Sequence, residues 1–518
     1  MPTVSAMTDK GYDIAVVGAG FAGSLTALGL DQLGYNVLLV EKEAHPRFAI
    51  GESSTPIADM ILRDLAGRYD LSWLHSFSRY GSWQDHHPEV ASGIKRGFSY
   101  YSHQGGRPFR TDEAHSRELL VAASVSNRQS DTNWYRPDLD AFLVSKVREA
   151  GIDYVDRTTI FSLDRIAGHW KMRARRDKKL TTYSSAWIID ATGSTALLRQ
   201  LGVGSGGADL RTRTSAIYSH FTGVKPWQSW LREHNISTAD YPYNPDFSAL
   251  HHLMEEGWLW MLRFNNGITS AGLVLEQGKR TQLPANKQAA WKQVIERYPS
   301  IANLFEKASV AELPGQLFST QRLQRRAQKV AGEGWVALPH TAGFVDPLHS
   351  TGIAHSLSGV ERLLYAFESG GGTVSSQHRS DFLATYERAV FRELRFIDLL
   401  VDGCYKARRN FDLFTTYSML YFTAAIDYEQ KRLRGSFDIE NNAFLSADHA
   451  RIPALVQRCY GEVTEISSLP GTAIPEEVNE KFRARVKKAI APYNSAGLLD
   501  PDIPNMYEHT AAEWGSNT

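Results

Sequence analysis

The stretch YDIAVVGAGFAGSLTALGLDQLGYNVLLVEKE, Tyr12 to Glu43, carries the strongest structural signal in the chain. Ile14 to Val17 form a short apolar run suited to a buried parallel strand. The run stops at Gly18-Ala19-Gly20-Phe21-Ala22-Gly23, and small residues with Leu25, Leu28 and Leu30 continue as a helix. Gly34 closes that helix, and NVLLVE reads as a second strand ending in Glu41. Glycines at such a strand-to-helix turn let the backbone approach a pyrophosphate, and the helix N-terminus offers free N–H groups and a partial positive charge. Glu41 is placed to accept hydrogen bonds from a ribose. A lone GxGxxG marks many ordinary turns. Strand, turn, helix, strand and terminal acid in order point to dinucleotide binding.

The rest of the composition narrows the class. The chain has 518 residues, enough for more than one domain. Hydrophobic content of 42% and charged content of 22% suit a soluble globular protein. Lys plus Arg equals Asp plus Glu at 57 each, so no net field points to nucleic acid or an anionic membrane. The two cysteines, Cys404 and Cys459, make no disulfide framework, and the expected compartment is the reducing cytoplasm. No run reaches the length of a membrane span, and no signal peptide is read before the first strand. Aromatics are plentiful, at 12 Trp, 22 Tyr and 23 Phe, which fits either a well-filled core or an aromatic-lined site.

Two further segments favour FAD over NAD. Arg136 to Ile152 reads as a helix with Leu139, Phe142, Leu143 and Val147 on its apolar side. A strand then ends in Asp190-Ala191-Thr192-Gly193. This order resembles the flavoprotein monooxygenase superfamily, in which the Arg before that helix and the DATG-like turn lie near the FAD. The hydroxylases of that superfamily carry Gly-Asp in a third FAD-contacting stretch, where this chain has Leu338-Pro339.

Just beyond that pair lies AGFVDPLHSTGIAHSLSG, residues 342–359. Phe344, Pro347, Ser350 and Gly352 match the F-x-x-P-x-x-S-x-G signature, so the chain resembles the flavin-dependent halogenases. Pro347 and Gly352 bracket a turn ahead of a helix from about Ile353 to Phe367, and the N–H groups of Thr351 and Gly352 would face an anion. The resemblance implies that this anion is chloride or bromide, held by Ser350, Thr351 and Gly352. Capping of the helix by Ser350 or Thr351 is compatible with that role.

A second match lies on a strand before the hairpin signal Asn265-Asn266-Gly267. Trp258, Trp260 and Leu262 share one face, with Leu259, Met261 and Arg263 on the other. This is similar to the halogenase W-x-W-x-I-P motif, with Leu262 for Ile and Arg263 for Pro. The resemblance makes the two tryptophans a wall between substrate and flavin; sheet packing is the plainer reading. The third match is Lys95, ahead of Phe98 and Tyr100, which corresponds by context to the halogenase lysine. Its ammonium could hydrogen-bond hypohalous acid, or its neutral amine could form a haloamine. The tryptophan halogenases carry Glu where His349 stands here. His349 is read either as a proton acceptor titrating near neutrality or as a structural histidine of the turn.

The resemblance covers roughly residues 10 to 420 and is closest to the halogenases of free phenolic substrates. The implied FAD contacts are Gly18, Gly20, Phe21, Ala22, Gly23, Glu41, Arg47, Arg136, Asp190, Gly193, Asp346 and Pro347. The expected fold is α/β: a Rossmann-like FAD-binding domain of flavoprotein-monooxygenase type, an antiparallel sheet substrate region and a C-terminal helical region. The expected boundaries are 1–205 for the first part of the FAD domain with the Lys95 segment inserted, 206–325 for the sheet region, 326–369 for the FAD- and halide-binding return, and 370–518 for the helices. Expected partners are a transient flavin reductase and a small aromatic substrate, free or carrier-bound. Oligomeric state stays open, a homodimer included. An FAD-dependent aromatic monooxygenase and a catalytically silent flavin-binding protein are the alternatives.

His251, His252, Glu255 and Glu256 are read as an exposed amphipathic helix rather than metal ligands, and no metal is expected. Residues 111–133 are read as a loop near the substrate, and the chain beyond about 468 as Pro-punctuated with a loose tail.

Overall fold

The computed structural model describes residues 11–206, 209–369, 376–469 and 474–512. At its centre the strand Gly11–Val17 pairs in parallel with Val37–Val40 on one side and Lys179–Asp190 on the other. Asp153–Val155 extends this sheet beyond Val37–Val40, and Trp335–Ala337 extends it beyond Lys179–Asp190, all in parallel register. Parallel strands covered on both faces read as continuous apolar runs, and Ile14, Val16, Leu38, Leu39, Ile188 and Ile189 are all fully buried. The carboxyl ends of these strands place the glycine turn, Glu41 and Asp190 along one edge. Phe21–Gln32 and Thr351–Ser369 pack so closely that a Cβ on Gly29 would stand 2.4 Å from Leu364.

The second sheet is mostly antiparallel. Thr214–Thr222, Thr269–Glu276, Gly257–Arg263 and Ala249–Leu253 lie side by side, and Gly97–Ser102 joins Ala249–Leu253 in parallel. Glu118–Ala122 and Met506–Tyr507 complete that side. The Asn265–Gly267 hairpin forms as read, with Gly267 at φ 81°. The tryptophan strand separates two cores: Trp258, Trp260 and Leu262 face the main one, and Leu259 and Met261 face the other. Ser376–Ala407 and Phe411–Leu433 form a helical layer over the main-core face.

Three expectations are corrected. His251 and His252 lie on the buried strand Ala249–Leu253, not on an exposed helix, because both faces of this strand are covered. The apolar centre of residues 111–133 is the strand Glu118–Ala122, fully buried. The chain beyond 468 includes the helix Glu476–Ile490, and Met506–Tyr507 is held in the sheet, with the Ala512 N–H donating to Glu429 at 3.0 Å. The remainder of the expected loose tail, 513–518, lies outside the described residues, as do the first ten residues. Among the described residues, no helix is long and apolar enough to cross a membrane.

Candidate active site

A cleft of about 670 Å³ opens along the carboxyl edge of the parallel sheet. Gly18, Gly20, Phe21, Ala22, Gly23, Glu41, Arg47, Arg136 and Gly193 line one end. Gly18 has φ 106°, and a Cβ there would stand 2.5 Å from the Ala191 carbonyl oxygen, so only glycine fits this turn. Glu41 accepts from the Ala19 N–H at 2.9 Å, the Glu43 N–H at 3.0 Å and Arg47 at 3.3 Å. Arg136 donates to both oxygens of Asp140, at 2.9 and 2.8 Å. It also donates to the Ile50 and Gly51 carbonyls at 3.2 and 3.0 Å, fixing the loop beside the cleft. Arg47 Nε and Ser53 Oγ are buried without a hydrogen-bond partner among the described residues, and both residues line the cleft. A glycine cradle, a carboxylate at the second strand's end and unspent donors fit a dinucleotide.

Asp190 and Asp346 lie behind the cleft wall instead of lining it. Asp190 accepts from the Thr192 N–H at 3.0 Å, which shapes the turn to Gly193, and burial pushes its carboxyl up to about 7. Asp346 accepts from Thr214 Oγ1 at 2.9 Å, the Leu348 N–H at 3.1 Å and the Tyr405 hydroxyl at 3.1 Å. Burial lifts it as well to about 7. The Trp258 indole N–H donates to the same Tyr405 hydroxyl at 2.7 Å, so one relay ties the Pro347 turn to the tryptophan strand.

At the other end of the cleft stand Trp258, Trp260, Pro347, Ser350 and Gly352. Ser350 takes φ 50°, and the helix starts at Thr351, leaving its first N–H groups without intrahelical acceptors. Thr351 is buried and does not line the cleft. A Cβ on Gly352 would meet nothing within 4 Å, so this corner has room. Trp260 lies flat over Gly272, where a Cβ would come within 2.1 Å of its ring. Arg263, in place of the motif Pro, donates to Asp246 at 2.9 Å and to the Val224 carbonyl at 2.7 Å, and the strand runs through it unbroken.

Lys95 is apart from the cleft and fully buried. Its Nζ stands 4.1 Å from the Phe98 ring centroid and 3.7 Å from Asp131 Oδ2. The antiparallel register of Ser92–Lys95 with Asp131–Trp134 sets those two residues opposite each other. Burial lowers the pKa of Lys95, and Asp131 and Asp59 oppose that shift. His251 joins the two regions: it lines the cleft and stacks on Tyr100 at 4.6 Å, with Trp258 4.9 Å away. Phe98 stacks on Tyr100 at 6.2 Å and meets Tyr421 edge-on at 6.0 Å.

His349 stacks on Tyr421 at 4.4 Å, and its Nε2 lies 3.6 Å from Cys404 Sγ. Burial, then the charge of His251, holds its pKa at about 3. The expected titration near neutrality does not hold: burial disfavours the charged ring, and His251 disfavours it further.

Comparison with known proteins agrees with this fold. The profile of the family described as FAD dependent oxidoreductase matches residues 13–311, more than half of the chain, and that described as Tryptophan halogenase matches 212–415. The chain belongs to the FAD-dependent oxidoreductases, as a flavin-dependent halogenase. The halogenase is 25% identical over 426 residues to the monodechloroaminopyrrolnitrin halogenase PrnC of Pseudomonas fluorescens, covering 80% of this chain and 71% of that protein. It is 24% identical over 527 residues to the tetracycline 7-halogenase of Kitasatospora aureofaciens, covering 96% and 90%. In fold it matches the crystal structure of halogenase PltM, with a TM-score of 0.84 and 24% identity over 95% of this chain and 99% of that one. PltM has been solved in complex with phloroglucinol and FAD.

Sequence reasoning missed several residues of the candidate site. Glu52 lines the cleft and pairs with buried His220 at 2.6 Å. Phe48 stacks on Phe318 at 5.1 Å within the same wall. Asp131, Asp59 and Tyr405 carry no local motif; each is brought in by tertiary packing. His251 was visible as a residue, and a strand-length apolar segment around it was the signal for its burial.

Proposed function

We propose that the halogenase uses chloride or bromide to halogenate a small electron-rich aromatic ring, phenolic in class, in a chamber where Lys95 directs the halogen. The position of Lys95 carries this reading: a fully buried amine against the Phe98 ring, outside the cleft that His251 and Trp258 line. The phloroglucinol complex of PltM supports the phenolic class.

Gly18, Gly20, Phe21, Ala22 and Gly23 would cradle the FAD pyrophosphate, and Glu41 with Arg47 would hold the ribose. Arg136 would brace the loop against it, with the Asp190–Gly193 and Asp346–Pro347 turns shaping the flavin end. Reduced FAD, delivered by a separate flavin reductase, supplies with oxygen the oxidising power that converts halide to hypohalous acid. Ser350, Thr351 and Gly352 would hold the halide at the helix N-terminus. Trp258 and Trp260 keep the organic ring out of the cleft, which prevents direct hydroxylation. Lys95 receives hypohalous acid and directs its halogen to the ring carbon, as a hydrogen-bonding ammonium or as a haloamine. His349 contributes a neutral aromatic surface under Tyr421.

The test pairs the purified protein with FAD, NADH and a flavin reductase, in bromide and separately in chloride. Phenols, indoles and pyrroles are offered, and products are read by mass spectrometry for the halogen isotope pattern. Halogenated phenols are the expected result. Hydroxylated phenols would move the assignment to a monooxygenase, and flavin oxidation with no organic product from any ring would point to a silent flavoprotein.

A further inference from the structure

The surroundings of Lys95 contain more acid than one ion pair needs. Asp59, on the helix Pro56–Arg68, is buried and feels the charge of Asp131. Two carboxyl groups buried near each other disfavour both being ionised. Burial and the charge of Asp131 push Asp59 well above the usual carboxylate range; burial raises Asp131 too, but the charge of Lys95 opposes that shift, so the pair favours the negative charge on Asp131. Lys95 Nζ makes no hydrogen bond among the described residues although it is buried beside that charge. Its N–H groups are therefore unspent.

We propose that Asp131, braced by Asp59, is a positioning residue that keeps Lys95 an ammonium, so that the lysine binds hypohalous acid by hydrogen bonding and does not form an N-haloamine. The proposal rests on the proposed function and chooses between the two chemistries open to Lys95. The ring carbon attacks the halogen, and the carbon–halogen bond forms as the oxygen–halogen bond breaks. The departing hydroxide takes a proton from Nζ and leaves as water. The ring proton then returns to the amine, restoring both the aromatic ring and the ammonium. The ring is oxidised by two electrons and the halogen is reduced by two.

Glu429 on Phe411–Leu433 and His251 also act on Lys95, while Arg63 on the Asp59 helix and Tyr421 on Phe411–Leu433 act on Asp131. Burial lifts Glu429 to about 8 and drops His251 to about 3, so both are neutral at pH 7. Asp131 is then the anion in contact with the ammonium.

Hypochlorite chlorinates amines only when they are unprotonated, so its reaction reports the charge on Lys95 without cofactor or turnover. FAD-free protein is treated with reagent hypochlorite across pH 6 to 10, values on the order of the lysine range, and N-chlorolysine at Lys95 is measured by peptide mass spectrometry. The wild type is expected to stay unmodified at neutral pH. Asp131→Asn is expected to shift the profile at least about one pH unit lower, giving roughly tenfold more N-chlorolysine at neutral pH. Asp131→Glu is expected to restore the wild-type profile, and retained FAD binding shows that each variant is folded. Coincident profiles for wild type and Asp131→Asn, flat or rising, would overturn the proposal. So would N-chlorolysine at neutral pH in the wild type, even if the Asn variant does not fold. Retained halogenation in Lys95→Ala would instead defeat the functional reading and leave the charge assignment standing.

Discussion

Lys95 and His349 are both fully buried, yet their surroundings treat charge in opposite ways. Lys95 has Asp131 at 3.7 Å to offset its desolvation, and His349 has an aromatic ring and a thiol. A positive charge is therefore supported by a nearby anion at one and left without that support at the other, where burial suppresses it. Replacing His349 by Phe preserves the stacking on Tyr421 and removes no charge between pH 5 and 8, about the range a histidine base would govern. The expected outcome is turnover within a few fold of wild type and an unchanged pH–rate profile, provided flavin binding is intact. Loss of an acid limb from that profile in His349→Phe would make the ring a working base after all. Gly18 makes the corresponding case at the cleft. With φ 106° and 2.5 Å between its Cβ position and the Ala191 oxygen, Gly18→Ala is expected to weaken FAD binding at least tenfold, measured by quenching of flavin fluorescence.

The tryptophan strand, Gly257–Arg263, divides two cores and forms the wall of the cleft at once. Its geometry depends on its neighbour, Thr269–Glu276, where Gly272 leaves space for the Trp260 ring. Gly272→Val would drive a side chain into that ring; an overpacking cost of about 1–3 kcal/mol is expected in thermal or denaturant unfolding. The displaced wall should also raise the fraction of reduced flavin oxidised without halogenated product. Unchanged coupling in a stable Gly272→Val protein would mean that Trp260 only packs the sheet. The alternation of Trp258, Trp260 and Leu262 was legible because a strand with different faces shows period two. The glycine turn and the helix from Thr351 were legible for a related reason: each is built from neighbours in sequence. Ala249–Leu253 was not, since burial on both sides removes the alternation and leaves two histidines that resemble a surface segment. The partner of Lys95 was out of reach too, because Asp131 arrives through the register of a strand pair distant in sequence.

Across the whole molecule, the main core ties the parallel sheet, the tryptophan strand and the helical layer together, and Ala512 is tied in through Glu429. Burial raises the Glu429 carboxyl from its ordinary 4.5 to about 8. The folded state thus holds a proton that the unfolded state has lost, and stability falls as pH rises through that window. Glu429→Gln keeps an acceptor for the Ala512 N–H and removes the titration. Its melting temperature is expected to exceed that of the wild type by more at pH 8 than at pH 5, about the two ends of the window. Parallel melting curves at both pH values would show that the carboxyl is already ionised in the fold.

The central claim is that hypohalous acid arises in the cleft and reacts at Lys95, in two places separated by Trp258. The most direct measurement supplies Lys95→Ala with FAD, NADH, a flavin reductase, bromide and a phenol that the wild type brominates, and follows free hypobromous acid with an amine scavenger alongside the organic product. The prediction is continued bromide-dependent scavenger oxidation with the brominated phenol lost. Brominated phenol formed at the wild-type rate would contradict it, as would loss of the scavenger signal together with the product while FAD binding is retained.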